Sequence, residues 1–327
     1  MTHKIFDEVQ LAHLVTSGPR LRTIHPIVYK QSVYFHSSPR GEKLSWVGQE
    51  VLLCAEQVVA RVPSYFRHPE RACPATTLYR SAQLSGVLER VDDLEEKAAV
   101  LQQLMRTYQP EGGYREISTT DPIYTGVLKR LSVFRIDGQL SVKEKLGQKK
   151  SDPERWRMMA GLWERGDRGD DAAIEAMVRA KPEGELPKLL KGPHGTRLST
   201  RVPQADIGQA LALVREEYWN TSHSDATLRE AHLRSPIWVG AYVGDRLIAT
   251  ARAVSDGAKY SFVMDVAVHP AHRGRGIGRA LLELLFDHPL ARRSALVQLV
   301  SKDPEFYERL GLERATLRPG RTLLQKR

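Results

Sequence analysis

The chain has 327 residues, of which 41% are hydrophobic and 27% charged, and this composition is typical of a globular protein with two domains. No apolar run is long enough for a membrane span, and the N-terminal residues lack the features of a signal peptide. The net charge of +10 raises nucleic acid as a partner, but the excess is spread over both halves of the chain and no helix-turn-helix is recognisable, so nucleic-acid binding is not expected.

The first 150 residues predict a strand-rich domain, because β-branched and apolar residues dominate or alternate there. Strands are predicted within residues 25–38, 50–62, 78–91 and 128–147. The first of these segments contains a tight turn near Lys30, and an amphipathic helix begins at Asp92. Many strands and few helices predict a small β-barrel with added helices.

Two helices and a linker follow this strand-rich region. The first helix begins at Asp152, with Pro153 in its first turn, and the second begins at Asp170. Residues 180–196 contain three prolines and three glycines without a hydrophobic period, which indicates a linker. We therefore predict a first domain over residues 1–180, a linker over residues 181–196 and a second domain over residues 197–327.

The second domain mixes strands and helices. A strand near Arg197 precedes helices that begin near Asp206 and Ser224. A hairpin about Gly244, a strand over residues 259–270 and a helix from Gly276 come next. A further strand, a short helix and a closing pair of strands complete the pattern, which predicts a mixed α/β fold.

The segment VAVHPAHRGRGIGRALLELL, from Val266, is the most specific motif in the sequence. A strand ends at His269, and the glycine-rich residues 273–278 form the turn before an amphipathic helix. Such a turn fits a pyrophosphate, because glycines let backbone N–H groups approach a ligand and the helix N-terminus attracts negative charge. A dinucleotide-binding motif would need glycine in place of Arg279, and a P-loop lysine is absent. A glycine-rich turn without a ligand is the alternative.

This motif resembles the signature of the GNAT N-acetyltransferase superfamily, in which Gln or Arg, two residues, Gly, one residue and then Gly or Ala follow one another. Arg273, Gly276 and Gly278 fill these positions. The resemblance spans residues 197–327 and implies an α/β GNAT fold that binds acetyl-CoA along the end of a strand and around the glycine turn. The implied contacts are Val266, Ala267, Val268, Arg273, Gly274, Arg275, Gly276, Ile277, Gly278 and Arg279.

The same resemblance suggests catalytic residues. Tyr307 occupies the place of a tyrosine that protonates the leaving CoA thiolate in many members, and a phenol is a competent donor to a thiolate. The alternative is a buried aromatic residue without a proton role. Asp265 is a candidate general base acting through water, or else a surface or capping carboxylate. Trp219 and His223 are candidates for the acceptor site.

The N-terminal domain carries a second resemblance. The segment YFHSSPRGEKLSW, from Tyr34, is similar to FMN-binding split barrels related to pyridoxamine 5′-phosphate oxidase, above all the nitroimidazole-resistance-like branch. The resemblance implies a split β-barrel, FMN as cofactor, a homodimer formed by the barrel, and a lysine on a helix after a glycine turn. The sequence departs from the family pattern at residues 11–25 and 147–150. The alternative is therefore a barrel that has kept its dimer interface and lost its cofactor. The implied FMN contacts are His36, Ser37, Ser38, Arg40, Lys43 and Arg80.

These patterns predict an acetyl-CoA-dependent N-acetyltransferase that acts on an unidentified amine. It is fused to a flavin-binding barrel, and such a barrel is suited to an oxidoreductase activity. The alternative is a regulatory protein whose barrel senses flavin or another ligand. The only cysteines, Cys54 and Cys73, form no CxxC pair, so we expect reduced thiols, no metal site and a cytoplasmic location. A membrane is not expected as a partner.

Overall fold

Residues 4–18 and 20–314 are described by the computed structural model, in which the chain divides into two units. The first unit contains the residues up to Val62 and Ala75–Leu146, and the second contains Pro63–Pro74 and the residues from Gly147. This division differs from the boundary predicted at residue 180. No helix of the described residues is long and apolar enough to cross a membrane.

The first unit is built on a seven-stranded antiparallel sheet with the strand order β2-β1-β5-β6-β7-β4-β3. Strands β1 to β7 occupy Ala12–Thr16, Leu21–Ile24, Ile27–Tyr29, Ser32–Ser37, Glu50–Val62, Thr76–Val91 and Ser132–Lys145. Helices α1 to α3 occupy Lys4–Glu8, Leu94–Tyr108 and Pro122–Arg130. This barrel-like sheet with added helices confirms the fold predicted for the N-terminal half.

The core of the first unit follows the alternation that predicted its strands. On β1, Ala12 and Leu14 are buried, whereas the alternate residues His13 and Val15 are half-buried. Phe35 of β4 stacks on Phe134 of β7 with ring centroids 5.1 Å apart, and both rings are fully buried. The predicted amphipathic helix is α2, whose first turn is capped by Asp93. Helix α3 was not predicted.

The two longest strands, β6 and β7, have no room for a side chain between their backbones at Gly86 and Gly138. These residues are paired partners in the register. A Cβ atom on Gly138 would lie 1.9 Å from the carbonyl oxygen of Ser85, and one on Gly86 would lie 2.1 Å from that of Asp137. Only glycine permits this approach, which lets the ladder continue without interruption from Tyr79 to Val91.

The second unit is a five-stranded sheet in the order β12-β11-β10-β9-β8, in which β11 and β12 are parallel and the other pairs are antiparallel. Strands β8 to β12 occupy Arg197–Ser199, Ile237–Val243, Arg246–Ser255, Tyr260–Val268 and Leu296–Gln298. Helices α4 to α10 occupy Asp152–Arg165, Asp170–Arg179, Ile207–Val214, Asp225–Arg234, Ile277–Asp287, Pro289–Arg293 and Pro304–Glu308. The predicted mixed α/β fold is confirmed. Most of the predicted closing strand pair lies outside the described residues.

Helices α4 and α5 belong to the second unit because buried polar contacts hold them there. Glu175 of α5 is 2% exposed and accepts hydrogen bonds from Thr200 N at 2.8 Å and Arg197 Nη1 at 3.0 Å. Trp163 of α4 donates from Nε1 to Asp287 of α8 at 2.6 Å. The sequence predicted both helices, but a helical pattern does not say against which sheet a helix packs. The predicted linker forms two short 3-10 turns.

Candidate active site

The edge of the second sheet opens where strands β11 and β12 separate. The two strands pair only from Tyr260 to Phe262 on β11. From Val263 to Val268, β11 continues with no described strand on that side. An unpaired strand edge presents backbone N–H and C=O groups to which an extended ligand can bond. Residues 266–268, predicted to contact acetyl-CoA, therefore lie on an open edge.

The glycine turn follows directly on this strand. Gly274 and Gly276 adopt positive φ angles of 71° and 75°, and Gly276 caps α8. Within the described part of the chain, no acceptor receives a hydrogen bond from the backbone N–H groups of residues 274–279. These donors lie at the positive end of the helix dipole, with Arg275 and Arg279 exposed beside them. The turn therefore offers an array of donors suited to an anion.

Arg273 differs from the rest of the turn, since it is already bonded within the protein. Its Nε donates to the carbonyl of Val268 at 2.9 Å, and its Nη2 donates to Glu217 at 3.1 Å. Its backbone N–H donates to Pro270. Arg273 thus fastens the turn to the end of β11, and the free donors begin one residue later than the family signature implies.

A cavity of about 440 Å³ occupies the gap between the separated strands. It is lined by the loop after α6, by α7, by β11 and by residues 299–307. Trp219, His223 and Tyr307, all singled out from the sequence, line this cavity together with Asp265. An added Cβ on Gly278 would lie 3.4 Å from Val268 and 3.7 Å from Phe306, so the glycine turn, the strand end and α10 adjoin one another.

Asp265 lies at a β-bulge in β11 and adopts a positive φ angle of 51°. Its Oδ1 accepts hydrogen bonds from Trp219 Nε1 and Asn220 Nδ2, both at 3.0 Å, and its Oδ2 accepts one from Arg252. Burial alone would raise the pKa of Asp265, but the Arg252 charge and these hydrogen bonds outweigh it and hold the pKa below its usual range. A carboxylate kept charged by three donors is a weak proton acceptor, so the geometry favours a structural role over the predicted base.

Tyr307 lies on α10 and faces the cavity. Burial raises the pKa of its phenol, and a hydrogen bond with Ser301 opposes this only in part. The phenol therefore stays protonated at neutral pH and can give its proton to an anion that forms in the cavity. This environment suits the predicted proton donor, although a raised pKa by itself does not distinguish it from a packed aromatic residue.

Sequence reasoning missed several residues of this cavity, above all Arg252 and Asn220. A signal for Arg252 was present, because it is the one charge in the apolar interior of β10, whose other arginine, Arg246, is its exposed first residue, and a buried charge needs a partner. That this partner is Asp265, 13 positions further along the chain, depends on the register between β10 and β11. Asn220 carried no signal, since an asparagine in a loop is common.

The predicted FMN residues of the first unit lie mostly on one turn. His36 and Ser37 end β4, and an added Cβ on Gly41 would lie 3.2 Å from the hydroxyl of Ser37, so the chain folds back on itself there. Lys43 lies in a five-residue 3-10 turn, Glu42–Trp46, where the resemblance implies a helix. Hydroxyls and cations thus share one turn together with Ser38 and Arg40, a donor set that fits a phosphate.

Arg80 lies elsewhere on the sheet, in an ion pair. It lies opposite Glu144 of β7, with which it forms an ion pair at 3.0 Å, whereas His36 lies opposite Val133. Eleven residues of β7 separate these two positions. At about 3.3 Å per residue this is roughly 35 Å of strand. In the strand register, Arg80 and the turn that carries Lys43 therefore lie towards opposite ends of β7.

We predict that Asp265→Asn destabilises the protein by about 3 kcal/mol, because it leaves the Arg252 guanidinium buried without a countercharge. Urea unfolding at pH 7 measures the change. The double variant Arg252→Met/Asp265→Leu should regain much of the loss, since it removes both charges. An Asp265→Asn variant of unchanged stability and abolished turnover would instead assign Asp265 to catalysis.

The same ion pair fixes how stability depends on pH. The pKa of Asp265 is lower in the folded protein than in the unfolded chain, so its contribution is complete above about pH 4, the ordinary range of an aspartate, and is lost as pH falls through the lower folded value. The stability of the wild type relative to that of the double variant should therefore fall in acid, whichever of the two is the more stable at pH 7. A wild type that gains stability relative to the double variant in acid would contradict the assigned pKa direction.

Comparison with known proteins agrees with both resemblances. Residues 2–138 match the family model described as pyridoxamine 5′-phosphate oxidase, and residues 205–312 match that of the acetyltransferase (GNAT) family. Histone acetyltransferase TAP1 of Glycine max is 43% identical over 70 residues, which are 21% of this chain and 30% of that protein. The chain thus spans less than a third of that relative.

Two solved structures are also similar to parts of the chain. A protein of Xanthomonas campestris pv. campestris described as belonging to the GNAT family is 29% identical, covers 41% of this chain and 95% of its own, and has a TM-score of 0.38. A protein of Bacteroides thetaiotaomicron VPI-5482 described for 5-nitroimidazole antibiotic resistance is 19% identical, covers 43% of this chain and 80% of its own, and has a TM-score of 0.33. On the family matches, the chain carries a pyridoxamine 5′-phosphate oxidase-like domain followed by a GNAT-family acetyltransferase domain.

Proposed function

We propose that this protein transfers the acetyl group of acetyl-CoA to the nitrogen of a small-molecule amine. The observation that carries this proposal is the adjacency of three features in the second unit: the free N–H donors of residues 274–279, the open edge of β11 and the cavity that Tyr307 lines. The turn suits the pyrophosphate, the strand edge suits the amide groups of the pantetheine arm, and the cavity lies where the thioester would end.

The transfer requires one bond to form and one to break. The unprotonated amine attacks the thioester carbon, the N–C bond forms, and the C–S bond breaks to release the CoA thiolate. Tyr307 gives its phenolic proton to that thiolate. The proton lost by the amine nitrogen passes to solvent, and His223, which lines the cavity and is exposed, is placed to relay it. Tyr307 regains its proton from solvent, so the net products are the acetamide and CoA.

For the first unit we propose FMN as the cofactor, bound at the interface of a homodimer. Support comes from the hydroxyls and cations of the turn at Ser37, Arg40 and Lys43, a donor set that fits a phosphate. When bound, FMN would supply electron or hydride transfer. Cys54 and Cys73 are both free, which supports the proposed cytoplasmic location.

The glycine turn gives the sharpest test of acetyl-CoA binding. Gly276→Asp should weaken acetyl-CoA affinity more than tenfold, because it places a carboxylate beside the pyrophosphate. Gly276→Ala is the matched control: it imposes the same positive φ strain without the charge, and its Cβ would contact only Pro193, at 3.9 Å. Calorimetry on the full chain measures both. Equal affinities of the two variants would remove the pyrophosphate from this turn.

Tyr307→Phe tests the proton donor. The ring still packs against Phe306, so the fold and the Michaelis constant for acetyl-CoA should change little. Turnover should fall about a hundredfold, the contribution typical of general acid catalysis. Thiol release measured under conditions in which chemistry limits the rate gives the answer. Wild-type turnover in this variant would leave Tyr307 as a packing residue only.

Lys43→Glu tests the FMN proposal. It reverses a charge in the proposed phosphate site, so FMN affinity should fall at least tenfold while the barrel stays folded. Lys129→Glu, an exposed charge reversal on α3, should leave the affinity unchanged. Flavin titration and light scattering together give affinity, stoichiometry and mass. A monomeric wild type would refute the interface, and a dimer without flavin affinity would favour a barrel that has lost its cofactor.

A further inference from the structure

The walls of the cavity in the second unit carry little net charge. Asp265 is the only carboxylate among the described residues that line it, and Arg252 neutralises that carboxylate from within. Both side chains are buried, at 3% and 10% exposed. The ion pair therefore presents neither a free anion nor a free cation to a ligand.

Most of the remaining surface of the cavity is aromatic and aliphatic, and Asn220, His223, Thr227 and Ser301 add polar groups to it. Four rings line it, those of Tyr218, Trp219, Phe262 and Tyr307. Tyr218 and Trp219 meet edge to face with their centroids 4.8 Å apart. Phe262 is 37% exposed and Val300 is 85% exposed, so part of this apolar lining is open to solvent. An exposed patch of this kind beside a reactive site suits an apolar ligand.

One of these rings already holds a cation. The ammonium of Lys302 lies over the face of Tyr218, 3.4 Å from the ring centroid. The contact occupies that face of Tyr218 and places a positive charge beside the cavity. This charge opposes a ligand with several ammonium groups more strongly than a ligand with one.

We propose that the acetyl acceptor is a monoamine, with one ammonium group on a hydrophobic body of aryl size. This inference rests on the proposed N-acetyltransferase function and names its substrate class. The rings and the aliphatic lining bury the body, and the π faces hold the single ammonium before it loses its proton. A polyamine or a polycationic sugar would have to place further charges against walls that offer them no free carboxylate, which is strongly unfavourable.

The first test measures binding by the full chain. 2-Phenylethylamine and spermidine are each titrated by calorimetry at one pH, with and without CoA present as a non-reacting partner. The proposal expects 2-phenylethylamine to bind at least tenfold more tightly. Spermidine binding equally well or better would overturn it. Because binding is measured without turnover, this result stands even if no acetylation occurs.

An acetylation assay then distinguishes a failure of the monoamine proposal from a failure of the proposed acetyltransferase function. Thiol release with either amine confirms acetyl transfer, and its ratio of kcat/KM values should favour 2-phenylethylamine at least tenfold. Release with spermidine alone would keep the transferase and refute the monoamine. Failure to bind acetyl-CoA would instead refute the transferase function, while the amine titration without CoA would still decide the preference of the cavity.

Variants of the cavity wall make the test specific. Val300→Glu adds a carboxylate to the lining and should shift the affinity ratio about tenfold towards spermidine. Val243→Glu, at an exposed valine outside the cavity, is the matched control and should leave the ratio unchanged. Phe262→Ala should weaken 2-phenylethylamine about fivefold without altering the Michaelis constant for acetyl-CoA. Equal shifts in the two glutamate variants, or no effect of Phe262→Ala, would overturn the proposal.

Discussion

The buried ion pair between Asp265 and Arg252 is the interaction on which the candidate active site depends. The Asp265 carboxylate collects donors from the loop after α6 and from β10 while sitting on a bulge of β11. Arg252 also donates to Ser235 at 3.2 Å, at the end of α7. Four segments of chain thus meet at one pair of charges. Removal of one partner of the pair would leave a lone charge at this depth and would strongly destabilise the walls of the cavity.

This arrangement bears on the amine recognition that we propose for the cavity. A carboxylate used inside the wall is not available to a ligand, so recognition of a cation passes to the rings around it. Trp219 illustrates the coupling, since its indole N–H is bonded to Asp265 while its ring lines the cavity. The same contact that anchors the loop therefore orients a recognition surface. Trp219 thus combines a structural role with a proposed binding role. An analysis of the sequence one residue at a time would treat these roles separately.

Local patterns in the sequence predicted most of the fold and the glycine turn at which we propose that acetyl-CoA binds. The strands of the first unit, helix α2 and the order of strand, glycine turn and helix around Gly276 all depend on short-range spacing, which the sequence displays directly. Features that depend on register or packing were not accessible. The role of Asp265 required knowing that β10 brings Arg252 beside it, and the placement of α4 and α5 required the contacts of Glu175 with β8. The family motif likewise did not show that Arg273 is bonded within the protein.

Register also decides which of the proposed FMN residues of the first unit lie together. A family motif lists the residues that resemble cofactor contacts, but it does not show whether they lie together in the folded chain. The long ladder between β6 and β7, maintained by the contact of Gly86 with Gly138, places Arg80 and His36 at distant levels of the same sheet. In the proposed homodimer a two-fold interface repeats each contact, so either chain could supply Arg80 to a given cofactor site. The strand register thus shows which of the proposed contacts lie on one turn and which lie elsewhere on the sheet.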